Sequence, residues 1–307
     1  MSSTPARMER LYATLPDWLQ PHVRKWYYLL NPRLSWLDRR KPDAVDESFV
    51  RRFFDDRAEF ERYRDEFLAG PIGDICATAA ERAPEGHTIF DAHREDCMKH
   101  YALVRKREPD VVVETGVYNG VSTASILLAL AANDRGRLHS IDNSRALRAG
   151  LGDAESADGA TTDRELDGRA RHYRRERPSC AEPGGARLVP DREPGWIVPD
   201  RLRDRWALTA GRSQRELPRL LADLGGIDVF LHDSEHSVSG MLFEFDLAYE
   251  WLRPGGLVLS SHVEWNDAFE TFVEERDCEH GLTTFHYLGY EGERVPCSTG
   301  YVVKPEA

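Results

Sequence analysis

Apolar positions along the chain fall into two regimes. Up to residue 95 they recur at three- and four-residue steps, the period of one helix face. Leu19, Val23, Trp26, Tyr27 and Leu30 make one such stripe. Phe49, Phe53, Phe60, Tyr63 and Phe67 make a second, with Asp46 as its N-cap and Pro71 and Gly73 at its end. An aromatic stripe reads first as core, packed on the rest of the protein or on a second copy of the chain, so a homo-oligomer is left open. A substrate lid is the sharper alternative.

From residue 96 short apolar runs alternate with helical stretches. A helix is expected over 96–107, ahead of a strand at 111–114, and another over 122–130. Further strands are expected at 137–142, 205–210, 227–233 and 257–261. Helices are expected over 242–252, stopped by Pro254-Gly255-Gly256, and over 266–277. Two last strands, 283–288 and 300–303, read as a hairpin-like edge. Alternating β and α with apolar strands predicts an α/β fold, a doubly wound and mostly parallel sheet covered on both faces. The expected organisation is an N-terminal helical region over 1–95 and a sheet domain over 96–307, the latter carrying an insertion at about 143–204. That insertion is rich in Gly, Ala, Asp, Pro and Arg, and far longer than a normal crossover. It reads as a solvated loop or as a specificity loop over a substrate.

Charge and cysteine usage narrow the partners. The net charge of −12 argues against broad binding to nucleic acid or to an anionic membrane. The basic run 169–177 leaves room only for a local contact. Five cysteines without a C-x-x-C pair speak against a disulfide framework and a zinc site built on cysteines. The first residues, MSSTPARMER, contain no apolar core of a secretory signal, and no run reaches about 18 apolar residues, so a cytoplasmic protein without a membrane span is expected.

The chemistry concentrates at strand ends. Val111-Val-Val-Glu-Thr-Gly-Val-Tyr-Asn-Gly-Val-Ser122 runs a buried strand into a turn with Gly116 and Gly120 and then a helix. This is how α/β proteins hold nucleotide-like ligands. The spacing is not G-x-G-x-x-G, which argues against a nicotinamide-dependent oxidoreductase. Asp142 ends strand two, where an acid accepts hydrogen bonds from ribose or merely caps a turn. Strand three leads into Gly211-Arg-Ser-Gln214, strand four into His232-Asp-Ser-Glu-His-Ser237, and strand five into Ser260-Ser-His-Val-Glu-Trp-Asn-Asp267. Polar residues at five strand ends therefore line one rim.

Glu-Thr-Gly-Val-Tyr-Asn-Gly-Val-Ser (114–122), Gly211-Arg-Ser-Gln214, Asp228-Val-Phe-Leu-His-Asp233 and the segment 255–263 together resemble class I S-adenosylmethionine (SAM) O-methyltransferases. The catechol O-methyltransferase type is the nearest, and the macrocin and cephalosporin-hydroxylase type is related. The resemblance covers roughly 100–304 and implies a seven-stranded Rossmann-like sheet with an antiparallel edge strand.

It also implies roles. Glu114, Gly116, Tyr118, Gly120 and Ser122 would surround the methionine part of SAM. Asp142 would bind the ribose, and Ser213 and Gln214 would edge the adenine. Asp233 would line the same site and be the first metal ligand. His236 stands where the catechol enzymes have a lysine base, and a neutral imidazole suits that role. The departure lies at the end of strand five, where the family's Asp-Asn metal pair is Ser261-His262. Either the metal is lost, or His262 serves an ion more tolerant of nitrogen than magnesium, such as manganese or iron. Asp267, Glu235 or Glu264 would be the replacement acids. The implied function is methyl transfer to a hydroxyl of a small-molecule acceptor. A catalytically inactive SAM- or S-adenosylhomocysteine-binding interaction protein is the alternative.

Overall fold

The computed structural model describes residues 42–83, 94–143, 192–276, 278–288 and 294–306. The expected helix over 19–30, most of the 143–204 insertion and the hairpin link lie outside the described residues. Two compact units divide the chain, Met1–Glu47 and Ser48–Ala307. Of the first, only the opening of α1 (Pro42–Phe53) is described.

The second aromatic stripe forms two helices rather than one. α1 ends at Phe53, and α2 spans Arg57–Ala69. The break follows from an N-cap at Asp56, with Glu59 reaching back to the residue before it. Asp56 accepts the Glu59 N–H at 2.8 Å, and Glu59 accepts the Asp55 N–H at 2.8 Å. Splitting the stripe lets Phe49, Phe53, Phe54 and Phe60 gather into one buried cluster with Tyr301. α3 (Ile72–Arg82) follows Pro71, and α2, α3 and α1 from Ser48 onward lie in the same compact unit as the sheet.

α4 (Arg94–Arg107) leads into β1 (Val111–Thr115), α5 (Val121–Ala132) and β2 (Arg137–Asp142). A short α6 (Asp200–Arg203) precedes β3 (Trp206–Ala210), α7 (Ser213–Leu224) and β4 (Ile227–His232). α8 (Val238–Trp251), β5 (Leu252–Ser260), α9 (Ala268–Arg276), β6 (Glu279–Leu288) and β7 (Arg294–Val303) complete the unit. Pro254-Gly255-Gly256 does not merely stop a helix, since it lies within β5. Proline holds Arg253 extended, and the strand starts two residues before it.

The sheet runs β3-β2-β1-β4-β5-β7-β6. The first five strands are parallel, while β7 pairs antiparallel to β5 and β6 antiparallel to β7. The seven-stranded, mostly parallel sheet with an antiparallel edge is the one the sequence predicts. Helices α1 to α5 contribute to the core on one face, and α7, α8 and α9 to the core on the other. The strand order reverses between β1 and β4, and ligands of open α/β sheets bind outside the carboxyl ends at that switch point. The two strands stay paired to their ends here, with the Asp233 N–H donating to the Thr115 carbonyl at 2.9 Å.

Candidate active site

The turn after β1 is built from backbone that only glycine accommodates at its ends. Gly116 has φ +87°, and a Cβ there would meet the Asp233 carbonyl oxygen at 2.0 Å. Gly120 has φ +98°, and its Cβ would lie 2.7 Å from the Cα of Gly195. Tyr118 between them is also left-handed, at φ 49°, and its side chain is exposed.

Asp142 holds this turn. Its Oδ2 accepts the N–H groups of Val117 and Tyr118 at 2.8 and 2.9 Å. On the outer side, the Gly195 N–H donates to the Tyr118 carbonyl at 2.8 Å, and the Trp196 indole N–H donates to Asn119 Oδ1, also at 2.8 Å. Asn119 and Trp196 were not among the sequence-derived candidates, because nothing local in either signals the pairing of positions 77 residues apart.

Glu114 lies behind the turn, fully buried. Its carboxylate accepts the hydroxyls of Ser122 (2.7 Å), Thr123 (2.8 Å) and Ser140 (2.7 Å), which ties β1, α5 and β2 together. Burial pushes its carboxyl up to about 7, although the three hydroxyls pull the other way. Glu114 and Ser122, expected to flank a ligand, thus bond each other.

A second buried acid, Glu244 of α8, was missed by sequence reasoning. It accepts Thr115 Oγ1 at 2.5 Å and Ser234 Oγ at 2.8 Å, and stands 2.7 Å from His232 Nδ1. Ser213 also hydrogen-bonds to it, which directs this residue into the protein while Gln214 stays half-buried. Burial alone would raise the Glu244 carboxyl, but His232 and these hydroxyls outweigh it and keep the group ionised. The available signal was an acid at a core-facing position, in register with the buried Met241, Phe245 and Ala248.

At the ends of β4 and β5 three polar side chains converge. Asp233, His236 and His262 each offer one ligand atom, all within 4.8 Å of one another, and this is the single such group among the described residues. Asp233 is part-exposed, with its Oδ1 3.8 Å from His236 Nε2. His236 is buried, and its Nδ1 lies 3.0 Å from the Ser234 carbonyl oxygen. A carbonyl only accepts, so this contact favours the tautomer with the proton on Nδ1. Burial, then the neighbouring His232 and His262, hold its pKa well below the usual imidazole value.

His262 sits at φ 56° at the start of a 3-10 turn, Val263–Trp265, that folds Trp265 back over both rings. Ring centroids are 4.2 Å apart for His262 and Trp265, and 4.8 Å for His236 and Trp265. Burial lowers the His262 pKa, but Glu264, Asp233 and Asp96 together raise it above the usual value.

Ser261 supplies no carboxylate. Its hydroxyl donates to the buried Asp96 of α4 at 3.2 Å, which also accepts Thr299 Oγ1 at 2.6 Å. Of the replacement acids considered from sequence, Glu264 lies nearest the cluster, its Oε1 3.8 Å from His262 Nδ1. Glu235 accepts the Ser237 hydroxyl, Glu264 accepts the Ser298 N–H, and Asp267 is exposed on the rim.

Residues 113–261 match the family model described as a methyltransferase domain, a span just short of half the chain. The matched span opens inside β1 and closes at Ser261, so it contains the glycine turn and the His232–Ser237 rim.

No curated protein sequence matches the chain. Among solved structures, it is similar to an O-methyltransferase from Bacillus cereus in complex with S-adenosylhomocysteine, at 14% identity and TM-score 0.43, over 85% of this chain and 97% of that one. It is also similar to the O-methyltransferase TomG from Streptomyces achromogenes in complex with SAM, at 14% identity and TM-score 0.45, over 76% of this chain and 89% of that one. No helix among the described residues is long and apolar enough to cross a membrane.

Proposed function

We propose that this chain is a cytoplasmic SAM-dependent O-methyltransferase that acts on a hydroxyl of a small molecule. The observation that carries the reading is the junction of two features at one switch point. The glycine turn held by Asp142 lies on one side, and Asp233, beside the neutral His236, on the other. Their backbones meet where Gly116 leaves no room for a side chain against the Asp233 carbonyl.

SAM's sulfonium makes its methyl group an electrophile. The protein's work is to hold an acceptor oxygen in line with that methyl and to receive the proton. Alignment of this kind supplies up to about 7–11 kcal/mol of barrier lowering. Tyr118, Asp142 and Gln214 are assigned to the cofactor side, with the Asp142 carboxylate as the acceptor for ribose hydroxyls. Glu114, Ser122 and Ser213 support that side from behind.

In the ion-free protein His236 Nε2 takes the acceptor proton. Its depressed pKa keeps the lone pair available at neutral pH, and Asp233 stabilises the imidazolium that forms. The net acidic charge supports a small acceptor rather than nucleic acid.

The test is calorimetric titration of the full chain with SAM, S-adenosylhomocysteine and NAD, followed by turnover assays with hydroxylated acceptors. Micromolar binding of both adenosyl ligands without NAD binding is expected. His236→Ala is expected to cut turnover by about 10²–10⁴ while SAM still binds. Absence of adenosyl-ligand binding would overturn the reading. SAM binding without turnover across the acceptor panel would favour an inactive SAM-binding interaction protein, a reading that the altered strand-five end keeps open.

A further inference from the structure

We propose that Asp233, His236 and His262 form a site for one divalent transition-metal ion, and that this rim has lost the donor set for magnesium. The inference rests on the reading above only for the place of the acceptor.

The resemblance to catechol-type enzymes implies a hard, oxygen-rich site. Three observations disagree with that here. The position expected to hold an acid is Ser261, whose hydroxyl is engaged with Asp96 at 3.2 Å inside the protein. The next position is an imidazole, His262. The third member, His236, is an imidazole as well, so the group offers one oxygen and two nitrogens. Magnesium demands near-octahedral oxygen ligation, whereas two imidazoles with one carboxylate suit iron(II), cobalt(II), nickel(II) or zinc.

The surroundings match what such a site requires. Imidazole ligands usually donate their second ring N–H to a carbonyl, a carboxylate or a water. His236 does the first, with Nδ1 3.0 Å from the Ser234 carbonyl, while its Nε2 stands 3.8 Å from Asp233 Oδ1. His262 has an acid nearby, Glu264 Oε1 at 3.8 Å from Nδ1, which has to close in to accept that N–H. Trp265 lies against both rings and fixes their mutual placement, at 4.2 and 4.8 Å between centroids. The part-exposed Asp233 gives an ion its way in.

The three donors stand within 4.8 Å of one another, slightly wider than an ion bonded at about 2.1 Å to each permits, so binding draws them together. A bound divalent ion of this class lowers the pKa of a coordinated hydroxyl. One lone pair serves one use at a time, so in the loaded protein His236 is a ligand rather than the base.

The test uses the full chain, stripped with chelator, and titrated by calorimetry with cobalt(II), zinc and magnesium chlorides. Cobalt uptake is followed in parallel by its visible absorption. One cobalt ion per chain is expected, bound at least 100-fold more tightly than magnesium. His236→Ala and His262→Ala are each expected to weaken cobalt at least tenfold and to alter its spectrum. Glu235→Gln, at an exposed position on the same loop, is expected to leave both unchanged.

Circular dichroism checks that each variant is folded, and His236→Gln replaces His236→Ala if the latter is not. Equal affinity for magnesium and cobalt, no cobalt uptake, or unchanged cobalt binding in folded His236 variants would overturn the inference. SAM titration of the same samples separates the two readings, because its failure would remove the methyl-transfer assignment and leave the metal result standing.

Discussion

His232 and Glu244 form a buried imidazole–carboxylate pair across the core of the sheet. Nδ1 lies 2.7 Å from Oε2, and the two side chains are 0% and 1% exposed. The same carboxylate gathers Thr115 from β1 and Ser234 from the loop after β4, so one side chain of α8 sets the two strand ends that bracket the switch point. Removing one partner of such a pair leaves the other buried without compensation. Glu244→Ala is therefore expected to destabilise the fold by about 3–5 kcal/mol, read by urea denaturation. A loss below about 1 kcal/mol would mean that the network does not hold these strands.

Glu114 gives the fold a pH dependence with a definite sign. Its carboxyl is raised from an ordinary value of 4.5 to about 7 by burial, so the folded protein binds the proton more tightly than the unfolded chain. Its contribution is fully present below about pH 4.5, is lost as pH rises toward 7, and is flat above that. The full span is roughly 3 kcal/mol for a shift of this size. Glu114→Gln, which cannot ionise, is expected to flatten the decline in stability between pH 5 and 7, measured by melting temperature at several pH values. An identical decline in the variant would assign it to other groups.

Gly116→Ala tests the closest approach in the site. The new methyl group would collide with the Asp233 carbonyl, and alanine would have to adopt φ +87°. Backbone strain alone costs about 1–3 kcal/mol. A lower melting temperature together with a loss of SAM binding is expected. Full SAM affinity in this variant would place the cofactor away from the turn.

Asp142 is given two tasks, and two substitutions separate them. Asp142→Asn keeps an oxygen for the Val117 and Tyr118 N–H groups but loses the charge. Asp142→Ala loses both. The asparagine variant is expected to melt near the parent while binding SAM at least tenfold more weakly. The alanine variant is expected to be weakened in both respects. Equal SAM affinity in parent and asparagine variant would leave Asp142 as a cap for the turn alone.

The sequence by itself determined the sheet. Val111 to Val113 and the 227–231 run are apolar and β-branched enough to be buried strands, and the Leu138 and Ile141 positions mark another between polar neighbours. Gly116 and Gly120 announce a turn because few other residues adopt its backbone. Candidate residues at strand ends followed from the same logic, since a parallel sheet puts every carboxyl end on one rim.

Tertiary structure decided what each polar side chain faces. Glu114 reads as a ligand-facing acid until Ser122, Thr123 and Ser140 are seen around it. Glu244 and Asp96 carry no motif, and the side chains they hold include ones 129 and 203 positions away in the chain. The break at Asp56 depended on a local cap competing with a long aromatic period, and the cap prevailed because splitting the stripe let its rings pack on Tyr301. The meeting of His236 with His262 required the left-handed turn at His262, a backbone state that side-chain identity does not encode. Local pattern records which groups want burial or a turn, whereas the partners of a buried charge are set by long-range packing.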